Sequence, residues 1–134
     1  MRVIIAGGGE FGTRLAEELS RGNEVIVVER DESRAEYLGE KLHSIVLYGS
    51  ATDKTVLRHA SAEKCDALVA ATGDDKINSD VCELAKSFGI KKIVSRLSDP
   101  SNEGMFSGTG AVTINLMDSA VKDFMKSIGH GKKS

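Results

Sequence analysis

The residue types best suited to chemistry in this 134-residue chain lie in a glycine cluster close to its first residue. The cluster follows a short apolar run, precedes a helical pattern and matches G-x-G-x-x-G. Its members are Gly7, Gly8, Gly9, Glu10, Phe11 and Gly12. In this context the first glycine permits a tight turn, the middle one lets main chain approach a pyrophosphate, and the last lets helix and strand pack closely. The pattern predicts a diphosphate-binding turn at a helix start; the alternative is a glycine-rich turn without a ligand.

An acid at the end of the second apolar run is the next candidate. Glu29 follows Gly9 at the distance where a carboxylate accepts hydrogen bonds from the hydroxyls of an adenosine ribose. A carboxylate there repels a 2′-phosphate, so NAD is favoured over NADP. Arg30 leaves two interpretations open: a guanidinium that accommodates a 2′-phosphate, or a solvated surface charge. We favour the surface charge.

Two further loops follow apolar runs, where ligands bind in open α/β sheets. Ser50 and Ala51 are small enough to let an adenine ring lie against main chain, and the same loop offers a helix cap at residue 52 or 53. The second loop is predicted to cover the other half of a dinucleotide; it contains Ala71, Thr72 and Gly73.

Arg96, at the end of the fifth apolar run, is placed to bind a phosphate. The alternative is a salt bridge with Asp99 or Asp74. One other pair, Tyr37 and Lys41, has the Tyr-x-x-x-Lys spacing of short-chain dehydrogenases, but it falls in the wrong helix for a catalytic pair.

The elements that must position these residues alternate between short β-branched runs and helical patterns. Predicted strands cover 2–6, 24–28, 44–48, 67–71, 92–95 and 111–115, and a helix of variable quality follows each one. This alternation predicts an α/β chain: a doubly wound Rossmann fold with a six-stranded parallel sheet and helices on both faces. We expect one domain over 1–134, with 128–134 as a frayed tail.

Composition excludes several functional classes. The formal net charge of −2 argues against a general nucleic-acid binder. No apolar run approaches the roughly 20 residues of a membrane span, and the first residues do not resemble a signal peptide. We therefore expect no nucleic acid, no direct membrane insertion, and any membrane role through a partner. The apolar stripe of the last helix either covers the sheet or forms a dimer contact.

Together these motifs resemble the RCK/KTN family, the N-terminal nucleotide-binding domains of Trk-type potassium-uptake regulators. The resemblance covers nearly the whole chain and includes Asn78 after the second loop and Pro100 after Asp99. The stretch 49–53 is similar to the family's Gly-Asp-Ala-Thr-Asp, with Ser50 where an acid is usual. Glu10 is similar to the Trk branch; an arginine there would suggest the potassium-channel branch, with its stronger ATP preference.

The resemblance implies a regulatory, nucleotide-binding cytoplasmic subunit or domain at the inner face of the cell membrane. Its expected cofactor is NAD or NADH, alternatively ATP or ADP. Its expected partners are copies of itself, as a dimer or ring of dimers, and an integral-membrane potassium transporter subunit. By the same resemblance residues 7–11 hold the pyrophosphate, Glu29 the ribose, Ser50 and Ala51 the adenine, Ala71 and Thr72 the second half, and Arg96 a phosphate or partner subunit.

The residues alone support two interpretations: a nucleotide-sensing module, or the cofactor half of an NAD-dependent dehydrogenase. Six strand–helix units already use the whole chain, and no histidine or lysine lies where a hydride acceptor would be polarised. We therefore expect a regulatory domain rather than an enzyme.

Overall fold

The computed structural model describes residues 1–129 and contains one six-stranded parallel sheet. The strands are β1 Arg2–Ala6, β2 Glu24–Glu29, β3 Ile45–Tyr48, β4 Ala67–Ala70, β5 Lys92–Arg96 and β6 Val112–Ile114. The α-helices are α1 Glu10–Leu19, α2 Glu32–Lys41, α3 Lys54–His59, α4 Asp75–Ser87 and α5 Leu116–Ser127. The strand order β3-β2-β1-β4-β5-β6 confirms the predicted doubly wound fold.

Successive side chains along β1 enter two separate hydrophobic cores, one on each face of the sheet. Ile4 packs with α3, α4 and the 3-10 helix Pro100–Phe106 on one face, whereas Ile5 packs with α1 and α2 on the other. A strand buried on both faces needs a continuous apolar run, because successive side chains point to opposite faces. This is why the central strands β1 and β2 contain continuous runs of β-branched residues.

Carboxylate or amide caps start four of the five α-helices. Asp31, Asp53, Asp74 and Asn115 each accept a hydrogen bond from a main-chain N–H in the first turn of the following helix. Such caps satisfy donors that have no partner within the helix. The remaining helix, α1, has Gly9 as its N-cap residue and has no side-chain cap.

Helix α5 differs from the other helices because none of its residues is buried. Met117, Phe124 and Ile128 are 72%, 75% and 80% exposed. Of the two alternatives for this stripe, covering the sheet does not hold within residues 1–129, and an exposed apolar face remains.

Smaller differences from prediction concern two short helical segments. Residues 100–106 form a 3-10 helix, and a further 3-10 turn, Ala62–Lys64, was not predicted. Of the predicted tail 128–134, Ile128 caps α5 and Gly129 has a φ of +82°; residues 130–134 lie outside the described residues. Within residues 1–129, no helix combines the length and apolar character needed to span a bilayer.

Candidate functional site

A cleft of about 640 Å³ opens above the carboxyl ends of the central strands. The strand order reverses there, since β2 lies on one side of β1 and β4 on the other. This is the position at which ligands bind in doubly wound sheets. The predicted site residues that line the cleft are Gly7, Gly8, Gly9, Glu29, Arg30, Ser50, Ala51, Ala71, Thr72, Gly73 and Arg96.

The glycine turn is held in one conformation by neighbouring main chain. Gly7 has a φ of +116°, and its N–H donates to the Val28 carbonyl at 2.9 Å. A Cβ on Gly7 would lie 3.0 Å from the Thr72 methyl group, so the loop after β4 crosses close to this turn. A Cβ on Gly12 would overlap the Gly7 carbonyl oxygen, because α1 packs directly on the turn. Gly12 thus serves close packing, mainly against the turn and also against β1, where a Cβ would lie 3.5 Å from Ile5 Cγ2.

Gly9 faces open space, in contrast to these two glycines. A Cβ there would have no atom within 4 Å. Gly9 is also the N-cap of α1, where no side chain satisfies the first-turn N–H groups. A helix start with unsatisfied donors and the positive end of the helix dipole attracts an anion. The cleft therefore offers a phosphate position at Gly9.

Glu29 is already fixed beside that position. Its two carboxylate oxygens accept the Gly8 N–H at 2.7 Å and the Asp31 N–H at 2.8 Å. A carboxylate has about four acceptor sites, so two hydroxyl groups can still donate to it. The half-buried Glu29 thus joins the glycine turn to the start of α2 and points its remaining acceptors into the cleft.

Arg34 supports the glycine turn from α2, and sequence reasoning missed it. Its Nε donates to the Gly8 carbonyl at 2.8 Å, and the Thr13 hydroxyl donates to the same carbonyl at 3.2 Å. Nothing in the local pattern marks this arginine, because its role depends on how α2 packs beside α1.

The loop after β3 forms the adenine side of the predicted site. Its first residue, Gly49, donates its N–H to the Glu29 carbonyl at 2.9 Å. The hydroxyls of Ser50 and Thr52 are 2.7 Å apart, and Asp53 accepts the Thr55 N–H and caps α3. The loop therefore combines a helix cap with a small-residue wall of the cleft.

The opposite end of the cleft carries charges of both signs. Asp74 and Asp80 line it together with Arg96, and Asp80 pairs with Lys76 at 3.1 Å. Ile77 and Asp80 had not been predicted; their i, i+3 spacing on α4 is the signal that places them on one face.

Arg96 forms neither of the salt bridges considered for it. The ion pairs within residues 1–129 join Arg2 to Glu24, Arg21 to Glu18 and Lys76 to Asp80. The Arg96 guanidinium instead lies over the Phe11 ring, 5.8 Å from its centroid. A cation–π contact leaves the guanidinium N–H groups available, because the ring contacts its face.

Three residues of the predicted glycine motif lie outside the cleft lining: Glu10 is exposed on α1, Phe11 supports Arg96, and Gly12 packs on the turn. Tyr37 and Lys41 do not line the cleft either. Instead, the Lys41 ammonium lies 5.8 Å from the Tyr37 ring centroid on α2.

The fold and the cleft define a Rossmann-type domain with a phosphate position at its switch point. A family model described as the TrkA-N domain matches residues 3–116. The chain therefore belongs to the TrkA-N domain family, which confirms the RCK/KTN resemblance.

Two curated relatives are Trk potassium uptake proteins. TrkA of Halomonas elongata is 39% identical over 108 residues, which cover 80% of this chain and 24% of the relative. The TrkA homologue of Methanothermobacter thermautotrophicus is 37% identical over 111 residues, covering 82% and 51%. This chain thus spans about a quarter of the first relative and about half of the second.

Among solved structures, the GsuK channel bound to NAD superposes with a TM-score of 0.75 at 24% identity. The match covers 84% of this chain and 21% of the channel chain. This likeness establishes the fold.

Proposed function

We propose that this chain is the nucleotide-sensing regulatory domain of a Trk-type potassium uptake system and that it binds NAD or NADH in the cleft. The observation that carries this proposal is the uncapped start of α1 at Gly9, open to the cleft and adjacent to the pre-positioned Glu29 carboxylate. The names of the matched relatives and the NAD-bound channel of the same fold support it.

In this proposal each part of the cleft takes one part of the dinucleotide. The diphosphate lies on the first-turn N–H groups of α1, and the adenosine ribose donates to Glu29. The adenine lies against Ser50 and Ala51. The second half of the nucleotide extends over Thr72 and Gly73, with Arg96 beside a phosphate.

The far end of the cleft carries charges of both signs. Asp74 and Asp80 line it together with Arg96, and Asp80 pairs with Lys76 at 3.1 Å. Because the two signs offset each other, charge at this end does not separate a dinucleotide from ATP. ADP and ATP remain alternative ligands, because they present the same ribose and diphosphate.

The regulatory role requires other chains. The exposed apolar face of α5, near exposed Val112 and Ile114 of the edge strand β6, supports pairing with a second copy of this chain. Large exposed apolar patches mark interaction sites. We place the assembly on the cytoplasmic side, where it contacts a potassium transporter subunit. Nucleotide binding shifts the assembly between two conformations, because the nucleotide binds one of them more tightly than the other.

Titration calorimetry with NAD, NADH, NADP, ATP and ADP tests nucleotide binding, with the variant Gly9→Asp as the critical comparison. Aspartate is a better N-cap than glycine, so the melting temperature should hold or rise. The new carboxylate occupies the phosphate position and repels the diphosphate. We expect wild-type protein to prefer NAD or NADH over NADP, and Gly9→Asp to lose at least tenfold in affinity.

Gly22→Asp is the matched control. It adds the same charge where a Cβ also has open space, at the opposite end of the sheet, and should bind like wild type. Wild-type protein that binds none of the five nucleotides, or Gly9→Asp protein that binds NAD normally, would contradict the proposed site. NADH oxidation with small carbonyl and hydroxyacid substrates separates the alternatives: turnover would favour the dehydrogenase fragment.

A further inference from the structure

Asn78 is a buried polar residue whose whole hydrogen-bonding capacity is used next to the cleft. It lies on α4 and is 0% exposed. Its Oδ1 accepts the Thr72 hydroxyl at 2.6 Å and the Thr72 N–H at 3.2 Å. Its Nδ2 donates to the Thr72 carbonyl at 2.9 Å and to the Arg96 carbonyl at 3.1 Å. Four hydrogen bonds satisfy a side-chain amide completely.

These partners allow only one orientation of the Asn78 amide. A reversed amide would place its NH₂ group against the Thr72 N–H and its oxygen against two carbonyl oxygens. Because that arrangement brings donor against donor and acceptor against acceptor, both ends of the amide are fixed in the observed orientation. Asn78 therefore acts as a rigid link between two main-chain segments.

The two segments are the cleft-lining ends of neighbouring strands. Thr72 follows β4 and Arg96 ends β5, with Ala70 opposite Ser95 in the parallel register. Both Thr72 and Arg96 line the part of the cleft assigned to the second half of the nucleotide. Asn78 itself does not line the cleft, so it acts only through these neighbours.

Thr72 also fixes the loop beyond it. Its hydroxyl donates to Asn78 and accepts the Asp74 N–H at 3.2 Å. The Thr72 hydroxyl proton is thus used in a hydrogen bond within the protein. What the loop can present to a ligand is mainly its main-chain groups, together with the open space beside Gly73. The shape of this wall depends on the Asn78 link.

From this geometry, and resting on the proposed nucleotide-binding function, we propose that Asn78 is the positioning residue that makes the cleft a dinucleotide site. It holds the Thr72 loop and the Arg96 strand end at the separation that the second half of NAD requires. The adenosine half, held by Glu29 and the loop after β3, does not depend on it.

The test compares AMP and NAD as calorimetric probes of the whole chain. AMP reports the adenosine half alone, and NAD reports both halves. For Asn78→Ala we expect NAD affinity to fall at least tenfold and AMP affinity to change less than threefold. Ser79→Ala is the matched control, because Ser79 is also buried on α4 but bonds only within the helix, to the Lys76 carbonyl.

Thr72→Val provides a second variant that keeps most of the buried network. It removes the hydroxyl but preserves side-chain shape. It should therefore lower NAD affinity, but by less than Asn78→Ala does. In the double variant the two losses should not add, since both remove the same link.

The outcomes separate this proposal from the proposed function. If wild-type protein binds neither AMP nor NAD, the nucleotide-binding function fails. If wild-type protein binds NAD but Asn78→Ala lowers AMP and NAD affinity equally, or changes neither, the positioning role fails. Additive losses in the double variant would also overturn the link.

Discussion

Gly8 and Gly9 are adjacent in the chain, yet their missing side chains serve different purposes. A Cβ on Gly8 would lie 2.5 Å from Leu38 Cδ1 and 2.8 Å from Glu29 Oε1, whereas a Cβ on Gly9 would meet nothing. A side chain at Gly8 would therefore fit only if the ends of the Leu38 and Glu29 side chains moved aside. Packing does not require a glycine at position 9. The space beside Gly9 matters only when a ligand occupies it.

A substitution at Gly8 tests this difference. Gly8→Ala should displace both Leu38 and the Glu29 carboxylate, lowering the free energy of unfolding by about 2 kcal/mol through overpacking. Because Glu29 moves, NAD affinity should fall at least tenfold as well. Urea unfolding and calorimetry measure the two effects; unchanged stability would show that Glu29 and Leu38 are not held as described. Gly9→Asp, by contrast, should weaken binding without lowering stability.

At the scale of elements, the start of α4 organises the loops around the cleft. Asp75, 6% exposed, accepts hydrogen bonds from the Ser98 N–H, the Asp99 N–H and the Asn102 side chain. Asn115 donates to the Leu97 and Ser98 carbonyls while it caps α5. The segment 97–99 is thus held between the start of α4 and the start of α5.

The protonation of Asp75 makes this arrangement sensitive to acid. Burial by itself raises the pKa of Asp75, but hydrogen bonds from Ser98, Asn102 and Asp99 outweigh burial and leave the pKa below its ordinary value. A carboxyl group with a lowered folded-state pKa adds stability at neutral pH. That contribution disappears as the pH falls through the folded-state pKa.

We therefore expect Asp75→Asn to lower the free energy of unfolding by about 2 kcal/mol at pH 7. The gap from wild type should shrink as the pH falls below about 4, the ordinary range of a carboxyl group. Urea titrations across pH 3–7 measure this. Glu83→Gln, exposed on the same helix, is the control. A gap that stays constant with pH would show that the charge of Asp75 contributes nothing.

At the scale of the whole molecule, two surfaces remain distinct. One is the cleft above the sheet. The other is the apolar face of α5, whose Met117, Val121, Phe124 and Ile128 recur every three or four residues and so share one side of the helix. No described helix or strand covers this face, because α5 contributes no buried residue.

Phe124→Asp should convert a dimer of this chain to monomer, since a charge would be buried in the apolar contact. The monomer's own stability should hardly change, because Phe124 is exposed. Light scattering after size exclusion measures the mass. Ser119→Asp adds the same charge on the opposite side of α5 and should leave the dimer intact. A wild-type chain that stays monomeric at high concentration would contradict pairing through this face.

The sequence by itself determined the alternation of strands and helices, the glycine turn and the place of Glu29 at a strand end. These depend on local properties: a φ only glycine adopts readily, an unbroken apolar run, and the meeting of parallel strand ends at one sheet edge. Tertiary structure alone decided the Arg34 contact with Gly8, the four bonds of Asn78, the place of Arg96 over Phe11 and the exposure of α5. Each of these depends on which elements lie next to each other in the folded chain. The spacing of residues along one element does not determine how close that element comes to another.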